Sequence, residues 1–225
     1  MMMNRVLICF ALKEEAAPFH PVAAGKPGVF TLMTGIGRQQ AGQSVRGFLK
    51  SCAPEWVLTC GFAGGLNPDL KLGDVVFETG APPSAGGWEP GTVPALAAAR
   101  LLAAGAKPGR FFCADQIATT AAEKQRLRAE TGADAVEMES AAIHGVCREQ
   151  GVPCLTVRVI SDPANEDLPL DFNALAKPDK SLDLGKLAWA VAKSPGKIGA
   201  LLTLQKQTKF AAEQLAAVLA KIICA

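Results

Sequence analysis

The chain has 225 residues, of which 49% are hydrophobic, so it can bury a sizeable core, and we predict one domain spanning residues 1–225. Its 23 Lys and Arg residues nearly balance its 21 Asp and Glu residues, and no segment concentrates one sign of charge. This pattern excludes the electrostatic footprint of a nucleic-acid-binding or basic membrane-surface protein. We therefore expect a small-molecule partner.

The seven cysteines are odd in number, lack C-x-x-C spacing and mostly lie in apolar runs. This usage predicts reduced, buried thiols and a cytoplasmic protein. The apolar run at residues 6–12 superficially resembles a signal peptide, but Lys-Glu-Glu follows it directly without a small-residue cleavage site, so we interpret it as a first β-strand. No apolar run approaches the roughly 20 residues that a membrane span needs, and we expect no membrane insertion.

Apolar runs alternate with helical patterns along the chain. They predict strands at residues 5–11, 29–34, 56–60, 74–78, 110–114, 134–138 and 154–160. Helical spacing predicts helices at residues 38–50, 94–104, 121–130, 139–150, 182–193 and about 197–222. The Gly- and Pro-rich stretch 79–93 is predicted to be a loop. This alternation predicts a three-layer α/β sandwich.

Polar and glycine-rich motifs fall at the C-terminal ends of the predicted strands, where open α/β sheets bind ligands. Each has an ordinary explanation when taken alone, such as a favourable helix dipole or a tight turn. Glu15, Gly61, Glu139 and Asp162 would nevertheless lie along one edge of the same sheet. A shared cleft explains that convergence better than independent coincidences do.

Two glycine-rich stretches leave alternatives open. The sequence T-G-I-G-R-Q-Q-A-G at residues 34–42 fits a dinucleotide fingerprint, but the strand that follows ends Thr59-Cys60-Gly61, with no charged residue to read a ribose. A tight turn without a phosphate is at least as good an interpretation. The stretch 59–66 is interpreted as a turn that either packs tightly or exposes its amides to a ligand.

The motifs A-L-K-E-E, T-G-I-G, C-G-F-A-G-G-L, V-E-M-E-S-A-A-I and V-R-V-I-S-D occur in this order and resemble the nucleoside phosphorylase and nucleosidase superfamily. The resemblance covers residues 5 to about 167 and is greatest to the 5′-methylthioadenosine/S-adenosylhomocysteine nucleosidases. It implies an α/β/α sandwich around a central mixed, mostly parallel sheet. It also implies cleavage of a purine nucleoside without a metal or redox cofactor, in a homodimer.

The resemblance also implies a role for each site residue. Met138 packs on the ribose and Glu139 accepts hydrogen bonds from its hydroxyl groups, with Glu137 as a supporting neighbour. Asp162 protonates the purine at N7, and Glu15 is the base for the attacking water. The other residues assigned to the site are Arg158 in catalysis and Gly61, Phe62, Ala63, Ile117 and Ser161 in substrate binding.

The nucleophile is predicted from residues 13–15. Phosphorylases of the superfamily carry Gly-Asp-Pro and a nearby Arg where this chain has Lys13-Glu14-Glu15. A carboxylate roughly 4 Å from a phosphate charge opposes binding by about 4 kcal/mol at an effective dielectric constant of 20. Water is therefore favoured, although Lys13 and Arg158 leave phosphate-dependent cleavage open.

Three departures from the nucleosidase pattern define the alternatives. Phe62 replaces a Ser, the sequence C-A-D-Q-I at residues 113–117 replaces Ser-Gly-Asp and an aromatic residue, and the segment 168–206 resembles hopanoid-associated phosphorylase-like relatives. One alternative is a phosphorylase or a nucleosidase for a lipid-linked adenosyl compound. The other, suggested by Phe62 and Ile117, is a nucleoside-binding protein without turnover.

Overall fold

The computed structural model describes residues 5–78, 93–177, 185–186, 193 and 195–223. Within them, all seven predicted strands are present, and a short extra strand precedes the fifth. Most of the predicted loop at 79–93 and of the predicted helix at 182–193 lies outside the described residues. The strands are β1 (Val6–Phe10), β2 (Val29–Met33), β3 (Trp56–Gly65), β4 (Val75–Glu78), β5 (Lys107–Gly109), β6 (Phe111–Cys113), β7 (Ala135–Glu137) and β8 (Cys154–Asp162).

These strands form one mixed sheet in the order β2-β1-β3-β8-β4-β5. β1 runs parallel to β2 and β3, β3 runs parallel to β8, and β4 runs parallel to β5. β4 is antiparallel to β8, and β7, which pairs in parallel with β6, is antiparallel to the C-terminal end of β3. The predicted central mixed, mostly parallel sheet is confirmed.

The longer predicted helices outside 182–193 are confirmed, whereas three one-turn helices were not predicted, because a single turn shows too little periodicity. Among the described helices, none combines the length and apolarity needed to cross a bilayer. The helices are α1 (Lys13–Ala16), α2 (His20–Ala23), α3 (Arg38–Ser51), α4 (Val93–Ala103), α5 (Ala121–Thr131), α6 (Ser140–Glu149), α7 (Phe172–Leu175) and α8 (Ile198–Ile223).

Alternation along β1 explains why helices cover both faces of the sheet. Val6, Ile8 and Phe10 face one side, where they pack with residues of α4 and α8. Leu7 and Cys9 face the other side, where they pack with residues of α3 and α6. Every residue of β1 is buried, as expected for a strand between two helical layers. The predicted three-layer sandwich is confirmed.

The glycine-rich stretch 59–66 is not the turn that the sequence predicted, because β3 continues through it to Gly65. Gly64 and Gly65 pair with β7 on one side of the strand, while β8 pairs on the other side. A Cβ atom on Gly64 would lie 3.1 Å from Oδ2 of Asp162 and 3.2 Å from Cγ1 of Val136. Glycine at this position therefore lets the neighbouring strands approach β3 closely without ending it.

Candidate active site

A cavity of about 270 Å³ opens where β1 and β8 end and where α6 begins. Most of the residues predicted for the site line it, whereas Arg158 and Gly61 do not. The predicted residues that line the cavity are Glu15, Phe62, Ala63, Ile117, Glu137, Met138, Glu139, Ser161 and Asp162. The structure thus brings together side chains that lie far apart in the chain.

Glu15 is buried and lies in α1, directly after β1. Its Oε2 atom accepts hydrogen bonds from the backbone N–H groups of Ala11 and Leu12 at 2.8 and 2.9 Å, and its Oε1 atom accepts one from Phe62 N–H at 2.8 Å. Burial raises the pKa of Glu15 to about 7, against the lowering effect of the hydrogen bonds from Phe62 and Leu12. A carboxyl group with such a pKa is suited to act as a base near neutral pH.

Gly61 provides the space that Glu15 occupies. A Cβ atom on Gly61 would lie 2.6 Å from Oε1 and 2.9 Å from Cδ of Glu15, closer than side-chain atoms can approach. Gly61 does not line the cavity. It therefore acts on the site through Glu15.

Glu137 has its acceptor capacity taken up inside the protein. Its Oε2 atom accepts hydrogen bonds from Arg158 Nη2 at 2.7 Å and from the backbone N–H groups of Ser140 at 2.8 Å and Glu139 at 3.0 Å. Its Oε1 atom accepts one from the Ser140 hydroxyl group at 2.6 Å. Burial raises the pKa of Glu137, but Arg158 and Ser140 outweigh this effect and hold the pKa below its ordinary value. This charged pair anchors the start of α6.

Glu139, by contrast, keeps acceptor capacity for a ligand. It is the N-cap residue of α6, and its Oε1 atom accepts one hydrogen bond from Gly37 N–H at 2.8 Å. Its Oε2 atom lies 4.0 Å from Arg158 Nη2, beyond hydrogen-bond distance. Burial raises the pKa of Glu139 above its ordinary value, although Arg158 lowers it. The Gly37 amide in the turn at 34–42 therefore serves a protein side chain, as in the tight-turn interpretation.

Both carboxyl oxygens of Asp162 have donors. The Ser161 hydroxyl group donates to Oδ1 at 2.7 Å, and Oδ2 lies 2.6 Å from Nζ of Lys124. Lys124 belongs to α5, and its side chain is completely buried. Burial raises the pKa of Asp162 above its ordinary value, although Lys124 and Ser161 act against this rise. The carboxyl group is thus held by one neutral and one charged donor.

Apolar side chains extend the site beyond the carboxyl groups. Phe62 lines the first cavity, and Met138, Ile117 and Phe172 line both this cavity and an adjoining one of about 390 Å³. Among the described residues that line the second cavity, Glu14 is the only charged one. A ligand held at the carboxyl groups can therefore extend into apolar space.

Several residues that contact the site were missed by the sequence motifs, and four of them lie in α5, α7 and α8. Lys124 holds Asp162, Phe172 of α7 lines both cavities, and Leu204 and Thr208 of α8 line the first. Each reaches the site through tertiary packing from a segment without a motif. No local pattern in the sequence marks them.

The chain matches the family model described as the phosphorylase superfamily over residues 13–192. It therefore belongs to the phosphorylase superfamily and is an enzyme of that class. This assignment agrees with the resemblance carried by the five sequence motifs.

Several solved structures share the fold over nearly their whole length. One is the 5′-methylthioadenosine/S-adenosylhomocysteine nucleosidase of Helicobacter pylori, at 21% identity and a TM-score of 0.69, with 100% of this chain and 99% of that chain covered. Another is the futalosine hydrolase of Helicobacter pylori, at 21% identity, a TM-score of 0.69, and 99% and 98% coverage. A third is the 5′-methylthioadenosine/S-adenosylhomocysteine nucleosidase of Neisseria meningitidis, at 19% identity, a TM-score of 0.70, and 98% coverage of both chains.

Proposed function

We propose that this enzyme cleaves the N-ribosidic bond of a purine nucleoside, with water as the nucleophile. The observation that carries the proposal is the convergence of Glu15, Glu139 and Asp162 on one cavity, each with different partners. Differently held carboxyl groups can take the separate roles of base, sugar ligand and acid. The nucleosidases and the hydrolase that share the fold support this reaction class.

The reaction requires stabilisation of opposite charges, because the ribose becomes positive as the base departs with the bond electrons. Asp162 donates a proton to N7 of the base, which leaves as a neutral molecule. Glu139 accepts hydrogen bonds from the ribose hydroxyl groups, and Met138 packs on the sugar. Glu15 removes a proton from the water whose oxygen bonds to C1′. The proton that Glu15 gains balances the one that Asp162 loses.

The charges at the cavity support this division of roles. The site holds four carboxyl groups, at Glu15, Glu137, Glu139 and Asp162, and two of them are paired with cations, Glu137 with Arg158 and Asp162 with Lys124. Negative charge around the ribose favours an oxocarbenium-like transition state. Arg158 acts through this arrangement, since it orders Glu137 beneath the cavity.

The surroundings of Glu15 support water over phosphate. Among the described residues, no Lys or Arg lines the first cavity. Lys13 is exposed, and Arg158 is paired with Glu137. A phosphate placed next to an ionised Glu15 would lack a free cation to offset a repulsion of about 4 kcal/mol at 4 Å.

The second cavity favours a substrate with a large apolar 5′ group. Six residues line both cavities, so the two spaces adjoin: Leu12, Ile36, Gln116, Ile117, Met138 and Phe172. A modified adenosyl nucleoside places its base and ribose at the carboxyl groups and its 5′ group in the apolar space. A lipid-linked adenosyl compound is accordingly the second candidate substrate.

Chromatography of free base tests the proposal. Purified enzyme is incubated with methylthioadenosine, adenosylhomocysteine, inosine and adenosyl nucleosides that carry long 5′-alkyl groups, each with and without phosphate. Base release without phosphate supports the hydrolase, and release only with phosphate contradicts it. Tight binding without release across the panel favours a non-catalytic nucleoside-binding protein. Asp162→Asn should abolish release, whereas Asp69→Asn, at an exposed position, should not.

A further inference from the structure

A buried lysine binds the segment that follows β8. Lys124 lies near the start of α5, and its Nζ atom is 2.6 Å from Oδ2 of Asp162. The same atom donates hydrogen bonds to the carbonyl oxygens of Pro163 and Glu166, both at 2.8 Å. An ammonium group has three N–H donors, so these partners engage all of them. One cation thus ties α5 to residues 162–166.

Lys124 would be tied to the segment after β8 even without its contact to Asp162. Two carbonyl oxygens already tie the lysine to the turn, yet its shortest contact is to the carboxyl group that lines the cavity. The Ser161 hydroxyl group holds the other carboxyl oxygen. Lys124 and Ser161 together therefore fix the position and the rotation of the Asp162 carboxyl group.

Lys124 is a cation beside Asp162, whereas the charged side chains that line the cavities around Asp162 are acids in the part of the chain that the structure describes. Asp162 lines two cavities, one of about 270 Å³ and one of about 290 Å³. The α8 side chains that line these cavities, such as Leu204 and Gln207, are uncharged, and so are the nearby Gly64 of β3 and Val136 of β7. The acids that line the two cavities with it are Glu15, Glu137, Glu139, Glu166 and Asp167.

We propose that Lys124 is a positioning residue for Asp162. Lys124 holds the Oδ2 atom of Asp162 at the cavity and limits the pH range in which Asp162 binds a proton. The proposal rests on the proposed function, in which Asp162 protonates the departing base. In the free enzyme at neutral pH, Asp162 is then a carboxylate paired with Lys124. It takes up its proton when the nucleoside binds.

The pH dependence of kcat/KM in wild type, Lys124→Met and Lys124→Arg tests this role. The form of the free enzyme that reacts has Asp162 protonated and Glu15 ionised, and kcat/KM reports the pKa values of both groups. Because Asp162 ionises at lower pH than Glu15 in this proposal, the low-pH limb lies at the pKa of Asp162 and the high-pH limb lies at the pKa of Glu15, about 7. Removal of the positive charge should raise the pKa of Asp162 and so move the low-pH limb upward by about one pH unit or more. Lys124→Arg should lower kcat while leaving the limb in place, because it keeps the charge but not the geometry. A loss that is equal at every pH in Lys124→Met would overturn the proposal.

A second measurement uses the folded protein without substrate. Carbon NMR of aspartate labelled at the side-chain carboxyl carbon follows the titration of Asp162, with Asp162→Asn to assign its signal. Wild-type Asp162 should be ionised at pH 7, and Lys124→Gln or Lys124→Met should titrate at higher pH. A protonated Asp162 in the wild type at pH 7 contradicts the proposal even when no variant folds. If no nucleoside is cleaved, the proposed function fails, but this spectrum still tests the link between Lys124 and Asp162.

Discussion

Arg158 and Glu137 form an ion pair from which water is excluded. Arg158 Nη2 lies 2.7 Å from Glu137 Oε2, and the two side chains are 2% and 0% exposed. Arg158 also donates a hydrogen bond to the Thr59 hydroxyl group at 3.0 Å, so the pair joins β8, β7 and β3. The loss of either partner leaves a buried charge without its directly paired counter-charge. Because Glu137 is the acid that pairs with Arg158, Glu139 keeps its free acceptor capacity.

We predict that Glu137→Gln lowers the free energy of unfolding by about 3–5 kcal/mol, since it removes the hydrogen-bonded counter-charge of the buried Arg158. Urea unfolding followed by circular dichroism measures this loss. The double variant Glu137→Leu with Arg158→Met, which removes both charges, should lose less than Glu137→Gln. A loss below about 1 kcal/mol in Glu137→Gln, typical of an exposed pair, would show that water reaches this ion pair.

Glu15 should set the high-pH limb of kcat/KM. It must be ionised to accept a proton from water, and its pKa is raised to about 7, chiefly by burial. Because Asp162 must hold a proton at the same time and ionises at lower pH, kcat/KM should be level up to about pH 7 and fall above it, and Glu15→Gln should remove the activity. The pH dependence of kcat/KM measures the limb. A high-pH limb that begins well below pH 7 would mean that the base is solvated or is another group.

The same group should make stability depend on pH. The folded protein binds the Glu15 proton more tightly than the unfolded chain, so the stabilisation is present below pH 4.5 and is lost as pH rises through about 7. The shift corresponds to about 3 kcal/mol. Urea unfolding at pH 4.5 and pH 8 should show this loss in the wild type, whereas Glu15→Gln should lack the corresponding part of it. An identical pH dependence in both proteins would contradict the raised pKa.

Gly61→Ala should damage both stability and activity, because the new Cβ atom would lie 2.6 Å from Oε1 of Glu15. We expect a loss of about 1–3 kcal/mol in the free energy of unfolding, as for other overpacked interiors. Gly47→Ala is the matched control, since Gly47 lies in α3 with nothing within 4 Å of its Cβ position. That change should stabilise the protein slightly. Equal effects of the two substitutions would contradict the packing of Gly61 against Glu15.

Ala176→Phe should distinguish substrates by their 5′ group, because Ala176 lines the second cavity but not the first. KM for long-chain 5′-alkyl nucleosides should rise, by roughly fourfold for each methylene group displaced from apolar contact. KM for adenosine, which has no extension, should stay unchanged and serves as the internal control. A parallel change for both substrates would place the 5′ group elsewhere.

The sequence predicted the layered fold and named the acids that the structure brings to one cavity. Continuous apolar runs such as residues 5–11 reveal strands buried on both faces, and Glu15, Glu139 and Asp162 each follow or end such a strand. That local information is enough to bring acids to a common edge. The sequence also suggested that Glu137 and Glu139 differ in role. Their hydrogen bonds now explain this difference.

Other features depend on contacts that no local pattern encodes. Lys124 belongs to an ordinary helical pattern, and only its packing against the end of β8 reveals that it meets Asp162. The glycines of residues 59–66 favour a turn by propensity, but pairing with β7 and β8 keeps them in a strand. For the same reason, the sequence could not show that Arg158 lies beneath the cavity, paired with Glu137.

β3 contacts three charged residues of the site and so links their positions. Its Phe62 amide holds Glu15, its Thr59 hydroxyl group holds Arg158, and its Gly64 lies against Asp162. A small sliding of this one strand would therefore displace base, anchor and acid together rather than one at a time. Rigidity of β3, more than the strength of any single contact, should determine how reproducibly the three groups meet a substrate.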